Sequence, residues 1–99
     1  MTNPTTDRDG VEQTWDALTK AGYTIDVVDG AGEEFKGLSR TQAVEEVTSC
    51  DDGYFRVLEG DQRVGWVWFI FGNSPEEVIC DYTVNLEHVI GPLTEGWLD

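Results

Sequence analysis

The stretch from Arg63 to Phe71 constrains the fold more than any other part of the chain, because it is apolar on both faces when extended. One face would carry Val64, Trp66, Trp68 and Ile70, and the other would carry Val67, Phe69 and Phe71. A strand of this kind is normally central in its sheet and covered on both sides. We expect one sheet face to form the core and the other to mix aromatic side chains with Asp26, Asp81 and Arg56.

The second aromatic face has two interpretations at this point. Either the loop from Gly30 to Gly37 or the C-terminal tail covers it, or it is exposed and serves self-association or the docking of a partner. Aromatic residues are enriched at the centres of protein interfaces. Under the second interpretation Trp66 and Trp68 form an aromatic interface, and a homodimer through this face is one form it takes.

Hydrophobic periodicity before this stretch predicts a helix, a strand and a second helix. The first helix begins at about Asp7, where apolar residues start to recur every three or four positions, and Gly22 ends it. Tyr23–Val28 alternates as a half-buried strand does. Ser39 announces the second helix, because Gln42 three residues later completes the pattern of a capping box. The second helix is expected to bury Ala43, Val44, Val47 and Cys50 and to end at Asp51, Asp52 and Gly53.

The C-terminal half predicts three strands and a short helix. Tyr54–Glu59 and Arg63–Phe71 are joined by a short connection that contains glycine, which is typical of a hairpin. A further strand is expected at Val78–Val84 and a helix at Asn85–Ile90, which Gly91 and Pro92 end. The fold class is therefore α+β in the order α-β-α-β-β-β-α, a small antiparallel sheet of three to four strands with two to three helices mainly on one face.

The length of the chain sets the number of domains. With 99 residues it fits one domain over residues 1–99, because two separate cores would each be marginal. Residues 1–6 carry no periodicity and are expected to fray, while Trp97 and Leu98 near the other end could pack back on the core. No apolar run approaches the roughly 18 to 20 residues that a membrane span needs, and we expect a cytoplasmic protein.

Net charge narrows the classes of partner. Twenty Asp and Glu stand against six Lys and Arg, for a formal net charge of −14. This imbalance repels nucleic acid and anionic membranes, and it favours basic partners through attraction that salt weakens. A basic protein surface is therefore the expected partner, above all one on a protein or complex that binds nucleic acid.

Side chains that usually carry chemistry show no catalytic or metal-binding pattern. His88 is the only histidine and lies beside Glu87 with no motif that pairs it with a nucleophile. The glycine-containing loop from Asp29 to Glu34 is acidic, which is unsuited to phosphate binding. Cys50 and Cys80 are too few for a disulfide framework and are predicted to be reduced, buried thiols. We expect no enzymatic activity, no cofactor and no metal.

The carboxylates themselves are then the active feature. Acids four residues apart on a helix lie about 6 Å apart along its axis, and duplex DNA likewise presents regularly spaced charges. A folded acidic protein can therefore imitate a phosphate track and occupy the Lys- and Arg-lined groove of a nucleic-acid-binding protein. The residues predicted to bind such a partner are Asp9, Glu12, Asp16, Glu33, Glu34, Glu45, Glu46, Asp51 and Asp52.

Two stretches resemble a pattern in short proteins of phages. They run Gly65-Trp66-Val67-Trp68-Phe69-Ile70-Phe71-Gly72-Asn73 and Val78-Ile79-Cys80-Asp81-Tyr82-Thr83-Val84-Asn85-Leu86-Glu87. In size and charge the chain also resembles the small acidic proteins of phages and mobile elements, including DNA-mimicking anti-restriction and anti-CRISPR proteins. The resemblance implies inhibition of a host defence nuclease or surveillance complex through its nucleic-acid site. Those inhibitors share no common motif, so the resemblance assigns no functional residue.

Two alternatives stay open beside the DNA mimic. The acidic surface could serve solubility or salt adaptation alone, since only Lys20 and Lys36 are lysines. Charge would then be spread evenly, and neutralising one cluster would abolish no binding. Otherwise the chain is a small dimeric adaptor that works through the strand of Trp66 and Trp68, with binding largely insensitive to salt.

Overall fold

The alternating and helical periodicities form three α-helices and a five-stranded antiparallel sheet in the computed structural model, which describes residues 3–97. The helices are α1 (Asp7–Lys20), α2 (Arg40–Val47) and α3 (Glu87–Trp97). The strands are β1 (Thr24–Asp29), β2 (Glu34–Phe35), β3 (Asp52–Glu59), β4 (Gln62–Ile70) and β5 (Ile79–Tyr82). Their order across the sheet is β2-β1-β3-β4-β5. The α+β class is confirmed.

The core lies between the helices and one face of the sheet. Alternate residues of the three central strands are buried there: Ile25 and Val27 of β1, Phe55 and Val57 of β3, and Val67 and Phe69 of β4. The helices contribute Val11 and Leu18, Ala43, Val44 and Val47, and Ile90, Leu93 and Trp97. Burying a side chain of this size is worth about 1.5–3 kcal/mol relative to exposure, so this layer supplies the main stabilisation.

The first helix forms as its sequence predicts. The Thr6 side chain accepts a hydrogen bond from the Asp9 backbone N–H, and the first turn carries acidic residues that suit the positive end of a helix. The helix ends at Lys20, and Gly22 follows it with a φ of 97°, a conformation that glycine adopts without strain. Pro4 is buried against the start of this helix, near Gly10, while Met1 and Thr2 of the segment expected to fray lie outside the described residues.

The second helix begins as predicted but ends earlier. Ser39 and Gln42 form the expected capping box, in which each side chain accepts from the other residue's backbone N–H. The helix ends at Val47, and Asp52, which was expected at its end, is instead the first residue of β3. The pairing of Asp52 with Ile70 of β4 decides this boundary, and a local sequence pattern does not contain that pairing.

The predicted loop after β1 contains a strand. Asp29 is 9% exposed, and its Oδ1 accepts hydrogen bonds from the backbone N–H groups of Ala31 (3.0 Å) and Glu33 (2.9 Å). This turn folds Glu34–Phe35 back as β2, which pairs with β1 and makes five strands where three to four were expected. A two-residue strand is too short to show a period of two, so sequence patterning overlooks it.

The prediction that Gly91 and Pro92 end the last helix is wrong. α3 continues to Trp97 with Pro92 inside it. Proline in a helix interior costs about 3 kcal/mol. Ile90, Leu93 and Trp97 lie at helical spacing on both sides of Pro92, and the burial of all three offsets this cost. Trp97 therefore packs into the core as expected, and its Nε1 donates to Gln13 Oε1 at 3.0 Å; Leu98 lies outside the described residues.

The predicted burial of both thiols is also wrong. In the pairing of β4 with β5, Trp68 lies opposite Asp81 and Phe69 lies opposite Ile79, so Cys80 is an extra residue in a β-bulge. Cys80 is exposed and Cys50 is half-buried, and both are free thiols.

None of the helices within residues 3–97 has the length and apolar character that a membrane span requires.

Gly65 is required where β4 meets the turn before α3. A Cβ at this position would collide with Thr83 Oγ1 and lie 3.0 Å from Leu86 Cδ1. We expect Gly65→Ala to lower the free energy of unfolding by about 1–3 kcal/mol, because the turn must move. Urea unfolding followed by circular dichroism measures the change.

The matched control is Gly96→Ala, since a Cβ there meets no atom within 4 Å. Alanine is the better helix former, so this variant is expected to be neutral or slightly stabilising. Equal effects of the two substitutions would contradict the packing argument at Gly65.

Tyr82 provides a second test, through its titration. Its hydroxyl donates to Glu87 Oε2, and this hydrogen bond, followed by burial and the Glu87 charge, raises the pKa of Tyr82 above its ordinary value. The associated stability is present below the ordinary tyrosine pKa and is lost as pH rises through the raised one. Glu87→Gln keeps an acceptor but loses the charge, so we expect the Tyr82 pKa to fall.

Tyrosinate absorbance against pH measures this shift, and Tyr82→Phe identifies the contribution of that residue. Circular dichroism recorded in parallel shows the range over which the chain is folded. An unchanged Tyr82 titration in Glu87→Gln would show that the carboxylate has no influence on the phenol.

Candidate partner-binding surfaces

The sheet face opposite the helices carries an aromatic surface, here called the open face. It is made of side chains that alternate with the buried ones: Asp26 and Val28 of β1, Tyr54 and Arg56 of β3, and Trp66 and Trp68 of β4, with Asp81 of β5 beside them. Trp66 is 37% exposed and the others are exposed or half-buried. In the second aromatic row Trp66 is thus exposed and Trp68 half-buried, and the use of this row for self-association or docking stays a prediction.

Strand register places the open face in two rows across the sheet. In the first row Tyr54 lies between Val28 of β1 and Trp68 of β4. In the second row Arg56 lies between Asp26 and Trp66. Side chains directly opposite each other on antiparallel strands are in contact range, so aromatic and charged groups alternate within a small area.

The aromatic rings form a corner. The rings of Tyr54 and Trp68 are stacked, with centroids 5.9 Å apart and an interplanar angle of 12°. The rings of Tyr54 and Trp66 are nearly perpendicular, with centroids 6.1 Å apart and an angle of 81°. A cavity of about 390 Å³ lies in this corner and is lined by Val28, Tyr54, Arg56 and Trp66. It offers apolar and aromatic walls to a flat or cationic group.

Carboxylates surround the corner. Arg56 Nη1 donates to Glu34 Oε1, and this hydrogen bond and the Arg56 charge lower the pKa of Glu34. The positive charges of Arg63 and Lys36 lower it further, so both lie near that end of the face. At the other end Trp68 Nε1 donates to Asp52 Oδ2 at 3.2 Å. The face therefore has a mixed end and an acidic end.

A second acidic surface lies on the helices. Arg40 of α2 holds two carboxylates of α1: its Nε and Nη2 donate to Asp16 at 2.8 and 2.9 Å, and its Nη1 donates to Glu12 at 3.1 Å. The pKa of Arg40 is raised, chiefly by the hydrogen bond with Asp16. Arg8 Nη2 approaches Glu45 Oε1 at 3.9 Å. These pairs fix α1 against α2 and leave carboxylates in the helical layer.

The carboxylates predicted to bind a partner are divided between these surfaces. Asp9, Glu12, Asp16, Glu45 and Glu46 are in α1 and α2, whereas Glu33, Glu34, Asp51 and Asp52 lie at β2 and the start of β3. Arg40 brings Glu12 and Asp16 together, and Glu34 and Asp52 contact residues of the open face. The predicted acids thus fall into two groups, one on the helices and one at β2 and the start of β3.

Sequence reasoning missed Tyr54 as a site residue. Its alternation with Arg56 and Leu58 in the predicted strand places these side chains on one face. That signal could have grouped Tyr54 with Arg56, which was already assigned to the mixed face. Only the pairing of β3 with β4 shows that Tyr54 lies between the two tryptophans.

His88 lies in the first turn of α3 and is exposed, and its Nε2 is 3.1 Å from the hydroxyl of Tyr23. Among residues 3–97, no group of three or more His, Cys, Asp or Glu side chains is arranged to hold a metal ion.

No protein-family model, curated protein or solved structure gives a significant match to the chain. The resemblance to phage inhibitors therefore stays a prediction.

The ion pair of Arg56 with Glu34 gives a pH-dependent readout of the open face. Because the pKa of Glu34 is lowered, the pair is intact above the ordinary glutamate pKa and opens as pH falls through the lowered one. We expect the Nε–H NMR signal of Arg56 to move over that pH range. In Glu34→Gln the same signal should stay constant, and an identical titration in both proteins would contradict the pairing.

Proposed function

We propose that this chain is a non-enzymatic acidic binding protein that acts as a DNA mimic. It occupies the basic nucleic-acid site of a protein or complex, for which restriction and CRISPR complexes are the expected examples. Carboxylates held at defined positions on both the helical layer and the sheet carry the proposal. A cytoplasmic location of the chain, where such complexes act, is part of the same proposal.

The surplus of acids supports this role because few of them are neutralised. Ion pairs within residues 3–97 involve Glu12, Asp16, Glu34 and Glu45. The other predicted partner-binding carboxylates have no Lys or Arg partner there: Asp9, Glu33, Glu46, Asp51 and Asp52. A partner's Lys and Arg side chains would neutralise them and release bound counterions, as phosphates of DNA do.

Rigid placement adds to this argument. Glu12 and Asp16 are one helical turn apart on α1, and Arg40 holds both. Their carboxylates therefore keep a spacing of about 6 Å along the helix axis without further ordering on binding. Arg40 offsets one of the two charges, so the group presents one net negative charge at a fixed position, and preorganised charges cost less entropy on association than mobile ones.

The DNA-mimic proposal predicts binding that depends on particular acids. The immobilised chain is incubated with cell lysate at low salt, and retained proteins are released by short duplex DNA and, separately, by a salt gradient. A retained protein is then purified and titrated with DNA in the presence and absence of the chain. We expect the chain to weaken the binding of the retained protein to DNA. This inhibition should decline as the salt concentration rises.

The test variant is Glu45→Gln, Glu46→Gln, Asp51→Asn and Asp52→Asn combined, which should lose the retained protein. The control variant combines Glu59→Gln, Asp61→Asn, Glu76→Gln and Glu77→Gln, which removes as many charges from other exposed positions. The DNA mimic is supported if the control variant still retains the protein and the test variant does not. Equal retention by both, or no competition with DNA, would overturn it in favour of an acidic surface for solubility.

A dimeric adaptor is the second candidate, and one observation favours it. Among residues 3–97 the exposed large hydrophobic residues are Trp66 and Val84, at 37% and 87%. Thr83 N donates to the Trp66 carbonyl at 3.1 Å, so Val84 adjoins a residue that is hydrogen-bonded to Trp66. Sedimentation equilibrium at high salt tests this candidate, since a dimer held by apolar contacts persists there.

A further inference from the structure

We propose that the open face is the docking surface for an arginine-bearing segment of a basic protein. Guanidinium groups of the partner stack in the aromatic corner of Tyr54, Trp66 and Trp68 and pair with the carboxylates around it. The inference rests on the proposed function in one respect, that the partner is basic. It adds which surface makes the contact and which side chain of the partner is recognised.

The corner suits a guanidinium by shape. Tyr54 and Trp66 meet at 81° and bound a cavity of about 390 Å³ that Val28 and Arg56 complete. A planar cation stacks on one ring while the apolar stem of its side chain contacts the other ring and the aliphatic wall. Arginine fits this arrangement better than lysine, because its delocalised plane stacks and its fork of donors pairs with carboxylates.

Arg56 does not exclude a second cation from the corner. Its Nη1 is bound to Glu34, its side chain is 20% exposed, and Asp26 lies directly opposite it on β1. Of these two carboxylates only Glu34 forms an ion pair with Arg56, and Asp26 has no Lys or Arg partner within residues 3–97. Arg56 also lies opposite Trp66 in the strand register, and both residues line the cavity.

Carboxylates at the acidic end have capacity for a partner. Asp52 uses Oδ2 to accept from Trp68 Nε1, and a carboxylate offers about four acceptor positions. Asp81 lies opposite Trp68 on the other side and is exposed. A guanidinium stacked on Trp68 is therefore within reach of carboxylates on both sides of the ring, and charge-assisted hydrogen bonds of this kind are among the strongest.

Charge decides between a basic partner and a second copy of the chain. Each copy carries a net charge of −14, so a homodimer brings like charges together. The carboxylates of the face are Asp26, Glu34, Asp52 and Asp81, four against the three cations Arg56, Lys36 and Arg63, of which the last two lie near Glu34. A cationic segment is complementary to this surface, whereas an anionic membrane is repelled by it.

The experiment measures binding of two labelled peptides to the full chain by fluorescence anisotropy. One peptide alternates arginine with glycine, and the other is identical with lysine in place of arginine. We expect the arginine peptide to bind several-fold tighter. Trp66→Ala should weaken its binding about tenfold, in line with the loss of a desolvated cation–π contact, and Trp66→Phe should recover most of the affinity.

Two variants with the same charge separate the face from overall charge. Asp26→Asn with Asp81→Asn removes two carboxylates from the open face, and Glu76→Gln with Glu77→Gln removes two exposed ones elsewhere. The first pair should weaken arginine-peptide binding more than the second. Circular dichroism and urea unfolding confirm that each variant is folded.

Equal affinity for the two peptides, or equal losses in the two charge variants, would overturn the docking surface. A dimer that Trp66→Ala dissociates in sedimentation equilibrium would also overturn it, because a second copy would then cover the face. The outcome is separable from that of the DNA mimic. If the chain prefers the arginine peptide but does not compete with DNA, the docking surface is supported and the DNA mimic is overturned. If the chain competes with DNA and Trp66→Ala does not change that competition, the DNA mimic is supported and the docking surface is overturned.

Discussion

The pairing of β3 with β4 is the interaction on which both the core and the candidate site depend. Inside, the rings of Phe55 and Phe69 meet edge to face with centroids 4.9 Å apart. Outside, the next residues along each strand, Tyr54 and Trp68, are stacked. A slip of one residue would exchange the two faces, so burial of the phenylalanines determines which aromatic rings stay at the surface. The stability of the fold and the geometry of the open face therefore have the same cause.

The edge of β4 beyond the end of β5 is closed by polar side chains. Beyond β5, Thr83 Oγ1 accepts from the Trp66 backbone N–H at 3.1 Å, and Asn85 Nδ2 donates to the Val64 carbonyl. The bulge at Cys80 shortens the regular part of β5 as well. Edges that are capped or bulged resist pairing with another strand. Contact through the face, by side chains, is consequently favoured over addition of a strand at this edge.

Surplus negative charge is compatible with this fold because the acids are arranged around a conventional apolar core. The helical layer offsets part of the repulsion with the fork of Arg40, and the open face does so with the pair of Arg56 and Glu34. Exposed ion pairs contribute little to stability, so buried apolar area remains the source of the free energy of folding. The remaining carboxylates are available to a partner at low structural cost.

The sequence by itself determined the features that follow from local periodicity and composition: the capped helices, the alternating strands, the α+β class and the negative charge. Alternation also separated Trp66 and Trp68 from Val67 and Phe69. Tertiary structure decided what depends on residues distant in the chain. Burial of Trp97 carries α3 past Pro92, the pairing of β4 with β5 exposes Cys80, and the fold divides the predicted acids between the helices and the sheet. Such outcomes depend on packing free energy between elements, which no local pattern contains.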